Sequence, residues 1–175
     1  MTARQLPAVT LRPIAPTDAA AFLAYAGDPA VSVPAGLLPV SDLAAAQARL
    51  AHAPEVLAVV HDGQVVGQVG VYARAATGPD APDRELGYAL ARAYWGQGLM
   101  TAALTQVLAQ LRRSGTGQVY AFVAVSNQRS AGLLRRLGFT CQDRLPAQPD
   151  ALLGRPEAED VFVLNLKNEN ENAVM

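Results

Sequence analysis

Residues 85–104 read ELGYALARAYWGQGLMTAAL. Their first six alternate as a strand should, ending near Leu90. From Thr101 the period changes: Leu104, Val107, Leu108 and Leu111 fall at i, i+3, i+4 and i+7, one stripe of a helix. Between strand and helix lies Trp95-Gly96-Gln97-Gly98. Two glycines let the backbone curl tightly and leave its N–H groups exposed at the positive end of a helix dipole. That is physically an anion cradle, and a diphosphate is its natural guest. A P-loop would need a Lys that is absent here, and a dinucleotide fingerprint would need a third Gly where Thr101 stands. The plainer reading, two glycines making a strand-to-helix turn, stays open at this point.

The charge around the turn favours an anion. Between Leu86 and Gln142 there is no Asp or Glu, while Arg92, Arg112, Arg113, Arg129, Arg135 and Arg136 give a local net of +6 in a chain whose net charge is −1. Such a segment attracts a compact polyanion, although the same arginines also suit solvated helix faces. The overall balance of 14 basic against 15 acidic residues argues against a dedicated nucleic-acid binder.

Working outward, residues 9–12 read as a strand stopped by Pro13. Thr17 is placed to cap a helix over 18–26, which Gly27, Asp28 and Pro29 end. Residues 31–40 hold Pro34 and Pro39 and predict a loop packed over a pocket. Ser41 suits the N-cap of a helix to about residue 53. Strands over 55–60 and 64–72 flank Asp62-Gly63, a hairpin turn that needs positive φ. Residues 77–82 form a loop and 119–125 a strand. Asn127 or Ser126 caps a helix whose Leu133, Leu134 and Leu137 face inward, ending at Gly138-Phe139. Strands over 140–145 and 161–166 follow. The order β-α-α-β-β-β-α-β-α-β-β predicts an α+β (α/β mixed) fold, a mixed sheet with helices on both faces. Residues 1–166 are expected to form one domain and 167–175 a flexible tail.

The single Cys141 has no internal disulfide partner, which points to a reducing, cytoplasmic setting; it reads as a small buried hydrophobe rather than a nucleophile. No apolar run approaches the ~20 residues of a membrane span, so no membrane partner is expected. His52 and His61 stand apart from any ligand cluster, so no metal site is expected, and His61 beside the turn should be exposed.

Four stretches in order carry a resemblance: TLRPIAPTDA, ELGYAL, YWGQGLMT and NQRSAGLLRRLGF, spanning residues 10–139. Together they resemble the GNAT superfamily of acyl-CoA N-acyltransferases, and within it the branch that includes the ribosomal-protein N-terminal acetyltransferases. The resemblance implies a splayed sheet with acetyl-CoA, the co-substrate, wedged where the strands over 84–90 and 119–125 part. It places the diphosphate on Gly96, Gln97, Gly98, Leu99, Met100 and Thr101. It implies a bulged strand end around Leu90 that pairs with the pantetheine and offers an N–H to the thioester oxygen. Asn127 and Ser130 match positions that face the CoA. Departures are Trp95 for a frequent Gln or Arg, Met100 for a small residue, Ala102 for a frequent Glu, and Leu134 where many members carry a Tyr that protonates the leaving thiolate.

Acyl transfer to an amine needs a base, a polarised carbonyl and a proton for the thiolate. Glu85 is the candidate base, on the strand that flanks the thioester; alternatively it is a solvent-facing residue paired with Arg84 or Arg74. Backbone N–H near Leu90 serves the carbonyl. Ser130 is the candidate acid, with Tyr88 and Tyr94 as further donors; alternatively Ser130 bonds its own helix backbone. By family similarity residues 19–50 and the loop 146–159 line the acceptor pocket, and the acidic Glu157, Glu159 and Asp160 could receive a cationic amine. The expected protein, monomer or homodimer, is an acetyl-CoA-dependent N-acetyltransferase acting by direct transfer in a ternary complex on a protein N-terminus or small amine. The alternative is a catalytically weak CoA-binding sensor or interaction module. A third reading, RNA binding through the Arg-rich half, predicts a steep loss of affinity with salt.

Overall fold

At Asp62-Gly63 the chain reverses with φ 48° and 75°, the left-handed pair that such a hairpin requires. This turn joins β2 (Val56–His61) to β3 (Gln64–Arg74). The computed structural model describes residues 6–38, 40–74, 82–148 and 157–167. Most of the expected 77–82 loop, the centre of the 146–159 loop and nearly all of the expected tail lie outside them.

Around the hairpin a seven-stranded sheet assembles in the order β1-β2-β3-β4-β5-β7-β6. The other strands are β1 (Thr10–Pro13), β4 (Asp83–Leu90), β5 (Gln118–Ala124), β6 (Thr140–Leu145) and β7 (Glu159–Asn165). Neighbours run antiparallel except β4 and β5, which are parallel. Two helices make the crossovers: α4 (Leu99–Arg113) joins β4 to β5, and α5 (Gln128–Arg136) follows β5. Three more, α1 (Ala19–Ala26), α2 (Pro29–Ser32) and α3 (Leu43–Ala51), precede the hairpin.

Strand alternation sorts the core into two layers. Leu86 packs with Leu104, Val107 and Leu111 of α4, Leu133 and Leu134 of α5, and Val69 and Val119 of the sheet. Ala89 turns the other way and packs with Phe22, Tyr25, Ala46 and Leu50 of α1 and α3. Helices therefore cover both faces, as the sequence pattern predicts. Among the described residues no helix is long and apolar enough to cross a membrane.

Local chemistry moves several expected boundaries. Asp18, not Thr17, organises the first helical segment: its carboxylate accepts from Ala15 N at 2.9 Å and from both Arg12 terminal nitrogens at 2.7 Å, after a 3-10 turn at Pro16–Asp18. Asp42, not Ser41, caps α3 by accepting from Ala45 N at 2.8 Å. The expected loop over 31–40 begins as helix α2, because Asp28 accepts from Ala30 N at 2.9 Å and Pro29 fits the first helical position. Cys141 is exposed on β6, where its sulfur reaches the Asp143 carbonyl at 3.7 Å, so it is not the buried hydrophobe expected. His61 is partly buried, its Nδ1 2.9 Å from the Ala8 carbonyl.

Candidate active site

Between β4 and β5 only two residue pairs meet, Arg84 with Val119 and Glu85 with Tyr120. Beyond them β4 runs on to Leu90 in unbroken register with β3, and β5 runs on to Ala124 in register with β7. Each strand is committed to its outer neighbour, so a wedge opens between the two. Ala91 N donates to Val66 O at 2.8 Å, and a strand turns successive backbone groups to opposite edges. Leu86, Tyr88 and Leu90 therefore aim their N–H and C=O groups into the wedge. The bulge expected at Leu90 is absent: Gly67 pairs directly with Leu90, and the open edge needs no extra residue.

The wedge continues into a cavity of about 830 Å³ that reaches from Leu86 past Trp95 to Thr101, with Ala121, Phe122 and residues 126–130 opposite. At its far end Gly96 and Gly98 have φ 76° and 85°, conformations that favour glycine whatever the space around them. Gly98 precedes α4, and the first helical bond runs from Ala102 N to Gly98 O at 3.0 Å. The N–H groups of Leu99, Met100 and Thr101 thus have no intrahelical acceptor and point toward the cavity end. Buried Leu99 and Met100 side chains, 1% and 7% exposed, fix that first turn in the core. Gln97 lines the same end, its amide donating to Ala93 O at 3.0 Å.

Trp95 sits between strand and cradle. Its indole N–H donates to Leu90 O at 2.7 Å, and the Arg129 guanidinium lies 4.0 Å over its ring. On α5, the Asn127 carboxamide oxygen accepts from Ser130 N at 3.1 Å, so Asn127 is the cap, and its amide reaches Pro34 O at 3.5 Å. Ser130 meets Tyr88 across the wedge, oxygen to oxygen 2.5 Å apart, rather than its own backbone. Burial pushes the Tyr88 phenol up to about 12, partly offset by the Ser130 bond. Leu134 is fully buried beneath the helix, away from the cavity.

Glu85 does not line the cavity. It belongs to the last pair before the strands part, and it accepts from Arg74 at 3.2 Å. That Arg74 guanidinium also lies 4.5 Å over Tyr120 and 5.2 Å over Phe122. The sequence therefore places Glu85 at the fork but not toward the cavity. Of the acidic run, Glu157 receives the Ser126 N–H and hydroxyl at 3.0 and 2.6 Å, which hold its carboxyl below the usual range. Asp160 is buried and paired with Arg144 at 2.6 Å. Glu157 thus holds the β5–α5 turn, and Asp160 pairs with β6. Val31, Pro34 and Ala35 line the cavity, in keeping with the pocket-covering segment expected over 31–40; the acid-free segment contains Arg129 but does not single it out.

A strand wedge leading to free N–H groups at a helix start has the shape to hold an acyl-CoA. Comparison with known proteins agrees: the model of the acetyltransferase (GNAT) domain matches residues 8–140, so the chain belongs to the GNAT acetyltransferase family, which uses acetyl-CoA. The fold is similar to a GNAT-family acetyltransferase from Bacillus anthracis, with TM-score 0.76 at 13% identity, covering 94% of this chain and 98% of that one. It is similar to the ribosomal-protein-S5-alanine acetyltransferase of Vibrio fischeri, with TM-score 0.73 at 17% identity over 96% and 98% of the two chains. It is also similar to the yncA protein of Salmonella typhimurium, solved with its cofactor acetyl-CoA, with TM-score 0.67 at 22% identity over 93% and 96%.

Proposed function

We propose that this protein moves the acetyl group of acetyl-CoA to a primary amine, a protein N-terminus or a small amine, by direct transfer in a ternary complex. The observation that carries this reading is the wedge itself: unpaired β4 backbone groups lead straight to the N–H cradle through one cavity. The residues fit the group. Gly96 and Gly98 allow the curl, Gln97 lines it, and the N–H groups of Leu99, Met100 and Thr101 face a diphosphate. Tyr88 presents ladder partners for a pantetheine amide, Leu90 O being already taken by the Trp95 indole, and a Leu90-region N–H polarises the acyl carbonyl.

Bound acetyl-CoA supplies an acetyl thioester, whose C–S bond breaks as the N–C bond forms. Glu85 is the base in this reading: its half-exposed carboxylate, bonded to Arg74 at the fork on the face opposite α4 and α5, would take the amine proton through water. Either hydroxyl of the Tyr88–Ser130 pair can donate in their shared bond; with Tyr88 as donor, the Ser130 O–H protonates the departing sulfur and takes the Tyr88 proton in its place. This pair takes the part that buried Leu134 cannot. Asn127 reaches from the start of α5 to the Pro34 segment across the cavity.

A protein N-terminus as acceptor is supported by the branch resemblance and by the likeness to the Vibrio fischeri enzyme. The test is release of free thiol from acetyl-CoA across a panel of peptide N-termini, amino acids and small amines. Turnover on at least one acceptor is expected. Tight acetyl-CoA binding with no thiol release on any acceptor would instead make the chain a CoA-binding sensor.

A further inference from the structure

A diphosphate seated on N–H groups alone keeps most of its charge, and the cradle itself contains no cationic side chain. Arg129 and Arg136 both line the cavity, and Arg129 is the one stacked on Trp95 beside the cradle. It lines the same cavity as residues 95–101, from the opposite wall. Its guanidinium lies 4.0 Å over the Trp95 ring, and no salt bridge among the described residues engages it. Trp95 is itself immobilised: the indole N–H is bonded to Leu90 O at 2.7 Å, and the ring packs against both core layers.

We propose that Arg129 is the cation that receives the diphosphate at this cradle, with Trp95 as the residue that positions it. This rests on the acetyl-CoA reading given above. A free arginine loses much rotamer freedom when it grips a ligand. Stacking on a fixed indole removes part of that cost beforehand, while the edge of the guanidinium keeps its N–H donors for phosphate oxygens. Of the six arginines in the acid-free segment, Arg129 and Arg136 line this cavity, and Arg129 is the one stacked on Trp95.

The test is calorimetric titration of the unsubstituted protein, Arg129→Ala, Trp95→Phe and Trp95→Leu with acetyl-CoA and with acetyl-dephospho-CoA, which keeps the diphosphate but lacks the 3′-phosphate. S-acetylpantetheine, which lacks both, is followed by thermal shift. Arg129→Ala should weaken both nucleotide donors by roughly tenfold or more and leave S-acetylpantetheine unaffected, as expected for loss of a charge-assisted contact. Trp95→Phe should retain most of the affinity, and Trp95→Leu should match Arg129→Ala. Unchanged acetyl-CoA affinity in Arg129→Ala would overturn the proposal. So would a loss that spares acetyl-dephospho-CoA, or an equal loss of S-acetylpantetheine. Equal affinity in Trp95→Phe and Trp95→Leu would remove the positioning role. Failure of the unsubstituted protein to bind acetyl-CoA is a separate result, and it would overturn the underlying reading as well.

Discussion

Ser130 and Tyr88 meet because α5 and β4 lie on either side of the wedge, and a bond between them joins two segments 42 residues apart. If this pair is the proton source, Ser130→Ala should lower kcat by at least tenfold at saturating acetyl-CoA, with KM for acetyl-CoA little changed. Tyr88→Phe should fall in the same direction by less, because Ser130 keeps its own proton. Equal loss in KM and kcat would mark the pair as binding residues. Glu85→Gln should cut turnover while acetyl-CoA affinity stays; a native rate would remove Glu85 from the mechanism. Elsewhere, Asp18 is 8% exposed and holds Arg12 and Ala15 N together. Its bond to Arg12 depresses its pKa, so this contribution is present above the ordinary carboxylate range and fades as pH falls below it. Asp18→Asn should cost about 1–3 kcal/mol in urea denaturation. At this scale the sequence singles out Gly96, Gly98 and Ser130, because glycine pairs and a motif serine have local signatures. It cannot single out the partner of Ser130 or the ring beneath Arg129, since those contacts form only when distant strands and helices close.

Elements were legible where two signals coincided. The hairpin at Asp62-Gly63, the apolar stripe of α4 and the Gly138 stop of α5 each combine periodicity with a residue of fixed backbone need, and Gly138 has φ 92°. Starts of helices were read one residue off at Thr17 and Ser41: at Ser41-Asp42 the carboxylate takes the cap, and at Thr17-Asp18 it reaches back to Ala15 N and leaves α1 without a side-chain cap. The four-residue α2 escaped the pattern because one turn has no periodicity to read. Asp42→Ala should therefore lower stability by about 1 kcal/mol, and Ser41→Ala by much less, when the two are compared by urea denaturation. The parting of β4 from β5 was implied by the family resemblance and not by the residues. It arises from register with the outer strands, which no local pattern encodes.

Across the whole molecule, charge and burial set the response to solution conditions. Burial raises the pKa values of Tyr25 and Tyr88, so both hold their protons more tightly in the folded state than in the unfolded chain. Their contribution is complete below the ordinary tyrosine range of about 10 and is lost as pH rises beyond it. The melting temperature should drop above that pH, and less steeply in Tyr88→Phe. The net charge of −1 conceals an acid-free basic segment that contains the cradle and α5. Acetyl-CoA affinity should accordingly fall as salt is raised, as screened charge attraction requires. The diphosphate is proposed to lie in the cradle that opens α4. The most direct test of this placement is acetyl-CoA titration of the unsubstituted protein beside Gly98→Val, with folding of the variant checked by circular dichroism. A branched side chain at φ 85° should deform the curl. Saturable one-to-one binding lost in a folded Gly98→Val is the predicted result; equal affinity in the two proteins would contradict it.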